Sequence, residues 1–353
     1  MNNGPTGPIP HRRRQVDSAD QLGAMTVSTV DLGDADLNAA IREGMEQVER
    51  TLREELSRGE DFLVDKVLHL VQAGGKRFRP MFALLAAQYG QRPQAPEVVQ
   101  AAAVVEIVHL ATLYHDDVMD EAERRRGVAS ANSRWNNSVA ILAGDILLAH
   151  ASGIMALLGT ETVKHFSETF AELVTGQMRE TIGAEDRDPV EHYLTVIREK
   201  TGVLIASAGY LGAYHSGADD ATVAALQRFG QNIGMVFQIV DDIIDIFSDP
   251  EVSGKTPGTD LREGVFTLPV LYALREESEV GDRLRELLVG PIEDEDTLAE
   301  VLDLLHRSSG RQRALEDVHR YLAEAEKQLD QLPDNAVTRA LRSLGEYSAR
   351  RAG

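Results

Sequence analysis

Cysteine is absent from the 353-residue chain, which excludes disulfides, zinc thiolates, iron–sulfur clusters and a cysteine nucleophile. Positive charge is scarce: 36 Lys and Arg stand against 57 Asp and Glu, a net charge of −21. Such a surface repels a phosphate backbone, so no nucleic-acid partner is expected, although single basic clusters can still hold small anions. Alternating strand-like runs are missing, and no secretory signal is visible. The cluster His11-Arg12-Arg13-Arg14 is followed by no apolar run, which speaks against a twin-arginine signal. Neither an HExxH motif nor a Ser–His–Asp set stands out. Gly254-Lys255-Thr256 is not the end of a P-loop, because Asp249 stands where that motif needs glycine. The expected setting is therefore cytoplasmic, without a transmembrane segment. Val139–Leu158 is the best candidate for a span, but Asp145 near its centre favours a buried core helix.

What is present is helical periodicity. Residues 1–36 are rich in Gly, Pro, Asn, Ser and Asp and are expected to form a disordered or loosely held arm. From Leu37 the pattern predicts helices over Leu37–Ser57, Leu63–Gln72, Arg79–Tyr89, Pro96–Met119, Asn137–Leu158, Thr162–Ile182, Pro189–Ala213, Asp219–Phe247 and Thr267–Glu276, with more between Glu295 and Ala349. Several are long and apolar on more than one face, as in the middle of a bundle. No Pro/Gly break between them is long enough for a domain linker. The expectation is all-α: one large helical bundle over residues 37–353.

Two clusters of identical spacing carry the chemistry: Asp116-Asp117-Val118-Met119-Asp120 and Asp241-Asp242-Ile243-Ile244-Asp245. Residues four apart share a helix face, so Asp116 and Asp120 point one way, as do Asp241 and Asp245. Like charges so placed repel, and more strongly where the dielectric falls. A solvated acidic face would explain one such cluster, but Val105, Ile107, Val108, Phe237, Ile239 and Val240 make the surroundings strongly apolar. Pairing with Arg124, Arg125 or Arg126 is the other plain explanation. A divalent cation resolves both clusters at once, since Mg²⁺ takes carboxylate oxygens and shares itself with substrate phosphates.

Further residues suit an anionic ligand. Gly74-Gly75-Lys76-Arg77-Phe78-Arg79-Pro80 is a glycine turn before an apolar helix, where Lys76 and Arg79 can grip phosphate oxygens; a solvated basic turn is the plain alternative. His109 lies two turns before Asp116 on the same helix, where a satisfied core histidine is the common case. Arg125-Arg126-Gly127 either caps an acidic helix end or supplies forked donors to a second phosphate. Lys200-Thr201 interrupts an apolar pattern, and Gln238 lies one turn before the second cluster. Together these suit metal-assisted departure of diphosphate, with apolar walls shielding a carbocation from water.

In this order and spacing the motifs resemble the trans-isoprenyl diphosphate synthases (the polyprenyl synthetase family): Gly74–Pro80, Glu106-Ile107-Val108-His109, Leu113-Tyr114-His115 with the first cluster, Arg125-Arg126-Gly127, the second cluster, Gly254-Lys255 and Asp260-Leu261-Arg262-Glu263-Gly264. The resemblance implies the isoprenoid synthase fold with a central cavity, a homodimer, and condensation of an allylic diphosphate with isopentenyl diphosphate. It also implies Mg²⁺, three ions per active site, and allows a transient membrane contact for product release. By position, Lys76, Arg79, His109 and Arg126 would bind isopentenyl diphosphate, and Arg125, Lys200, Thr201, Gln238 and Lys255 the allylic diphosphate. Asp116, Asp120 and Asp241 are the leading metal ligands, with Asp117, Asp242 and Asp245 in direct or outer contact. Val265 stands where the family often has lysine, which would weaken allylic binding.

In short-chain members bulky aromatics just before the first aspartates block the product's tail. Ala111 and Thr112 are small, which predicts a long product of C30 to C50 for a quinone side chain, with Leu147, Ile154 and Met155 as candidate floor and Tyr114 as a constriction. A C20 geranylgeranyl product, a class I terpene cyclase, a non-catalytic subunit and a purely structural helical protein remain as alternatives. The C-terminal Arg350-Arg351 is expected to be a solvated tail.

Overall fold

A computed structural model describes residues 31–248 and 257–351, so the expectations for Gly254 and Lys255 and most of the N-terminal arm lie outside the described residues. Helix α1 (Ala35–Leu56) begins two residues before the expected Leu37. Asp34 caps it by accepting from the Leu37 amide, and Asp31 accepts from Asn38 at 2.9 Å, so the chain from Asp31 is already tied to the bundle. Leu32 is buried against the core.

The predicted Leu63–Gln72 helix is two pieces, α2 (Asp61–Val67) and α3 (His69–Gln72), followed by α4 (Phe78–Ala87) and α5 (Pro96–Met119). The expected absence of strands is corrected by a two-residue antiparallel hairpin after the first aspartates, β1 (Arg124–Arg125) with β2 (Val128–Ala129), in the register Arg124↔Ala129 and Arg125↔Val128. Two residues per strand are too few to show alternation in a sequence. Next come α6 (Ala131–Arg134), α7 (Asn137–Leu158), α8 (Thr160–Ile182) and α9 (Pro189–Ile197).

The single helix expected over Pro189–Ala213 is interrupted by a π-turn, Arg198–Gly202, before α10 (Val203–Ser216). Glycine makes room for it: a Cβ on Gly176 of α8 would lie 2.8 Å from the Lys200 amide nitrogen, and one on Gly234 of α11 (Asp220–Phe247) would lie 2.7 Å from the Gly202 Cα. The remaining elements are α12 (Thr259–Glu263), α13 (Leu268–Leu274), α14 (Glu279–Leu287), α15 (Glu295–Arg307), α16 (Gly310–Leu329) and α17 (Ala336–Arg350).

Helices α4, α5, α10 and α11 form the centre; Val98, Val104, Leu110, Leu211 and Leu226 are fully buried, and α11 keeps a polar side with Arg228 and Asp241 exposed. Helices α5 and α7 are both long and apolar enough to cross a membrane by length and composition. The apolar stretch of α5 is 72% buried, whereas that of α7 is only 33% buried. The expectation of a buried core helix at Val139–Leu158 is thus corrected. Its inner face, with Leu147, Ile154 and Met155, is core, but Leu142 is 60% and Leu157 79% exposed.

Candidate active site

The first aspartate cluster ends α5, and the second lies in the last two turns of α11. Between them sits the π-turn, whose adjacent Lys200 and Thr201 bond different partners. The Lys200 ammonium bonds Glu180 at 2.6 Å. Burial works against its charge, but Glu180, Asp116 and Asp120 outweigh burial and raise its pKa. Its neighbour Thr201 donates to Gln238 at 3.2 Å, and Gln238 in turn donates to Asp242 at 3.1 Å. An inserted π residue frequently marks a functional site; here it turns adjacent side chains toward both clusters.

The six aspartates are not equivalent. Burial, together with Asp120 and Glu180, pushes the Asp116 pKa up to about 6, although Lys200 and Arg125 oppose the shift. Asp116 therefore resists carrying its charge alone. Asp120 caps α5 and is exposed. Asp117 is turned inward, 0% exposed: one oxygen accepts from Arg125 Nε at 2.6 Å, and the other is sealed without a partner. The ion-pair explanation considered for this cluster thus applies to Asp117. In the second cluster Asp241 is exposed, while Asp242 accepts from Tyr193 and Gln238. Burial pushes Asp242 up to about 7, against those two hydrogen bonds. Asp245 is buried and accepts from the Asp260 amide at 3.3 Å, fastening the start of α12. The solvated-tail expectation for the C-terminus is corrected at Arg351, which reaches Asp241 at 3.5 Å.

A second group of residues lies around Glu106, a buried carboxylate 2% exposed. Arg77 bonds it at 2.8 Å and Arg126 lies 3.8 Å away. Arg79 has its Nε sealed without a partner, and burial pushes its pKa down to about 10 despite Glu106. His109 is held well below the ordinary histidine value by burial and by Arg79, Arg126, Arg77 and Arg125, so it is a neutral hydrogen-bonding group. One buried carboxylate thus faces three arginines, with Glu49 on Arg77 at 2.5 Å as the other counter-charge. The surplus is positive, as an anion site requires. Lys76 is exposed on the Gly74–Gly75 turn beside it.

Arg77 and Glu106 were quoted in the sequence motifs but given no role; their structural one is now plain. Arg77 adopts a left-handed backbone (φ 49°) and also donates to the Val71 and Gly74 carbonyls, so it braces the loop instead of facing a ligand. Its bonds to Glu49, Glu106 and two carbonyls distinguish it from Arg79, whose Nε has no partner, and cations in one turn give no signal of which will be claimed this way.

The hairpin separates the two groups. Arg125 ends β1 and Arg126 opens the turn in a left-handed conformation (φ 52°), so the two side chains go to different partners. Arg125 goes to Asp117, while Arg126 donates to the Leu70 carbonyl at 3.1 Å and to that of Gly74. Ala111 is 0% exposed within the core, and the Thr112 hydroxyl is spent on the His109 carbonyl at 2.8 Å. Tyr114 is buried with its hydroxyl donating to the Lys66 carbonyl at 2.5 Å, which ties this expected constriction to the α2 side.

The residues suit a divalent cation. Among the described residues no three acidic or imidazole groups converge to make a closed protein cage. Mg²⁺ does not ask for one: it is held by one or two carboxylates, with water and substrate phosphates completing the shell.

The polyprenyl synthetase family profile matches residues 60–305. The chain belongs to the polyprenyl synthetase family. It is 54% identical over 331 residues to nonaprenyl diphosphate synthase of Mycobacterium tuberculosis, covering 94% of this chain and 99% of that one. It is 46% identical over 323 residues to dimethylallyltranstransferase of the same organism, covering 91% and 98%. Among solved structures, geranylgeranyl pyrophosphate synthase of Corynebacterium glutamicum, complexed with calcium and isoprenyl diphosphate, superposes with a TM-score of 0.86 at 64% identity, covering 92% of this chain and all of that one. The chain is accordingly a prenyltransferase with the all-α isoprenoid synthase fold.

Proposed function

We propose that this chain is a long-chain trans-polyprenyl diphosphate synthase. It adds successive isopentenyl units to farnesyl or geranylgeranyl diphosphate, giving a C30 to C50 product for a quinone side chain. The observation that carries the length is Ala111. It is a fully buried small residue on α5, five positions before Asp116, where an aromatic ring would obstruct the path. The similarity to a nonaprenyl synthase supports the same reading. The C20 alternative is supported by the higher identity to a geranylgeranyl synthase.

The cofactor is Mg²⁺, three ions per site, and the catalytic unit is residues 37–353. Asp116, Asp120 and Asp241 are the direct ligands, and Asp117, Asp242 and Asp245 orient the arginine, glutamine and α12 segments around them. When bound, the metal neutralises charge developing on the leaving diphosphate. Arg125, Lys200, Thr201, Gln238 and Lys255 hold that diphosphate. Lys76, Arg79, Arg126 and neutral His109 orient isopentenyl diphosphate so that its double bond attacks the allylic carbon. The departing diphosphate takes the proton.

The enzyme is proposed to be a cytoplasmic homodimer, with transient membrane contact at product release. Ile141 and Leu142 of α7, and Val174, Met178 and Ile182 of α8, are large apolar side chains left exposed. Exposed apolar faces of this kind mark interaction surfaces, and a symmetric pair is the commonest way to cover one. Incubation with farnesyl diphosphate, labelled isopentenyl diphosphate and Mg²⁺, with chain lengths read by chromatography, tests the product. A ladder ending between C30 and C50 is expected; products stopping at C20 would replace the long-chain reading.

A further inference from the structure

The hairpin that carries Arg125 and Arg126 cannot hold its own shape. Each strand contributes two residues, and two-stranded hairpins are marginal in water even when longer. Its turn residues, Arg126 (φ 52°) and Gly127 (φ 79°), both lie in the left-handed region, the primed geometry that suits a tight hairpin. Arginine is there at a cost, because its Cβ crowds the backbone in that conformation. Something outside the hairpin must compensate.

His69 is placed to do so. It opens α3, is buried, and puts Nε2 2.7 Å from the Ala129 carbonyl oxygen. A carbonyl only accepts, so Nε2 carries the proton. Nδ1 lies 3.1 Å from Arg134 Nη1, and a guanidinium only donates, so Nδ1 accepts. The ring is thereby held from both sides, with its edge on Trp135 at 5.2 Å and the Arg134 guanidinium over the same indole at 4.6 Å. Ala129 lies on β2 and pairs with Arg124 of β1, so the tether reaches the strand that carries Arg125 through that pairing. The residue after His69, Leu70, offers its carbonyl to Arg126.

We propose that His69 is a positioning residue for prenyl transfer: its Nε2–H bond to Ala129 sets the hairpin, and through it the two arginines that face the two diphosphate sites. The inference rests on the assignment of Arg125 and Arg126 to substrate.

Three variants test it. Glutamine places an amide nitrogen close to the reach of histidine Nε2, whereas asparagine is too short. His69→Ala and His69→Asn should raise KM for both diphosphates about five-fold, the loss of one ordinary hydrogen bond, with kcat per active site little changed. His69→Gln should return both KM values to within about two-fold of wild type. Isopentenyl diphosphate binding by calorimetry should follow the same order. A residue that only stabilises the fold would lower Tm and the active fraction without moving KM. If His69→Ala does not fold, the Gln and Asn pair decides. Equal KM values in Gln and Asn variants would overturn the inference while wild-type binding of isopentenyl diphosphate preserves the functional assignment. Failure of the wild type to bind it would overturn both.

Discussion

Replacing Asp116 by asparagine should stabilise the metal-free protein while abolishing its response to metal. Burial, Asp120 and Glu180 raise the folded-state pKa of Asp116 from 3.8 to about 6. A raised carboxylate pKa means that the folded state favours the protonated form. This contribution to stability is complete below the unfolded value, 3.8, and is lost as pH rises through about 6. At pH 8 the ionised carboxylate therefore costs up to about 3 kcal/mol, and at pH 5 about half of that. Asparagine keeps the shape and removes the charge. Lys200 keeps its bond to Glu180, so no cation is orphaned. With an unfolding entropy of roughly 2.1 cal/mol/K per residue, 3 kcal/mol corresponds to about 4 °C in Tm for a chain of this length. Thermal unfolding in EDTA at pH 5 and pH 8 measures the difference directly. Adding Mg²⁺ with pyrophosphate should raise the wild-type Tm and leave Asp116→Asn nearly unmoved, since only a ligand of the folded state stabilises it. The reasoning is refuted if the metal-free variant is no more stable than wild type at pH 8, or if its advantage is as large at pH 5.

Four other outcomes are expected. Ala111→Phe should shorten the product ladder toward C20, and an unchanged distribution would remove Ala111 from the product path. Val265→Lys, at a site 45% exposed after α12, should lower the allylic KM several-fold with the isopentenyl KM unchanged; equal allylic affinity in both proteins would count against a contact there. Glu106→Gln should destabilise the fold by about 3 kcal/mol, because it strips the shared counter-charge from Arg77 and Arg126 in a buried setting. Chemical denaturation giving a change under about 1 kcal/mol would show that this charge is not needed. The double substitution Leu142→Asp with Met178→Asp should convert a dimer into a monomer on light scattering; a wild-type monomer would remove the interface.

Most of the chemistry was legible in the sequence because it depends on residue type and short spacing. Each of these features, the two DDxxD clusters, the glycine turn with its cations and the Arg125-Arg126 pair, is contained within a few consecutive residues. Helical periodicity likewise located the long helices to within a residue or two at Pro96–Met119, Asn137–Leu158 and Asp219–Phe247. These are local properties, set by hydrophobic period and end-capping.

Burial direction was not legible, because it is decided by what packs against a helix from elsewhere in the chain. Spacing puts Asp116 and Asp120 on one face, but it does not say that Asp117 is sealed inside on Arg125. It likewise treats Arg77 and Arg79 as one basic turn, although Glu49 and Glu106 claim the first. The π-turn at Lys200-Thr201 depends on the close approach of α8 and α11 at Gly176 and Gly234, helices that periodicity cannot place side by side. Thus the sequence by itself determined a helical prenyltransferase with two acidic clusters and a set of basic candidates for an anion. Tertiary structure alone decided which acids carry exposed charge, which arginine braces the loop and which keeps a sealed, unpartnered Nε, and which half of α7 is left uncovered.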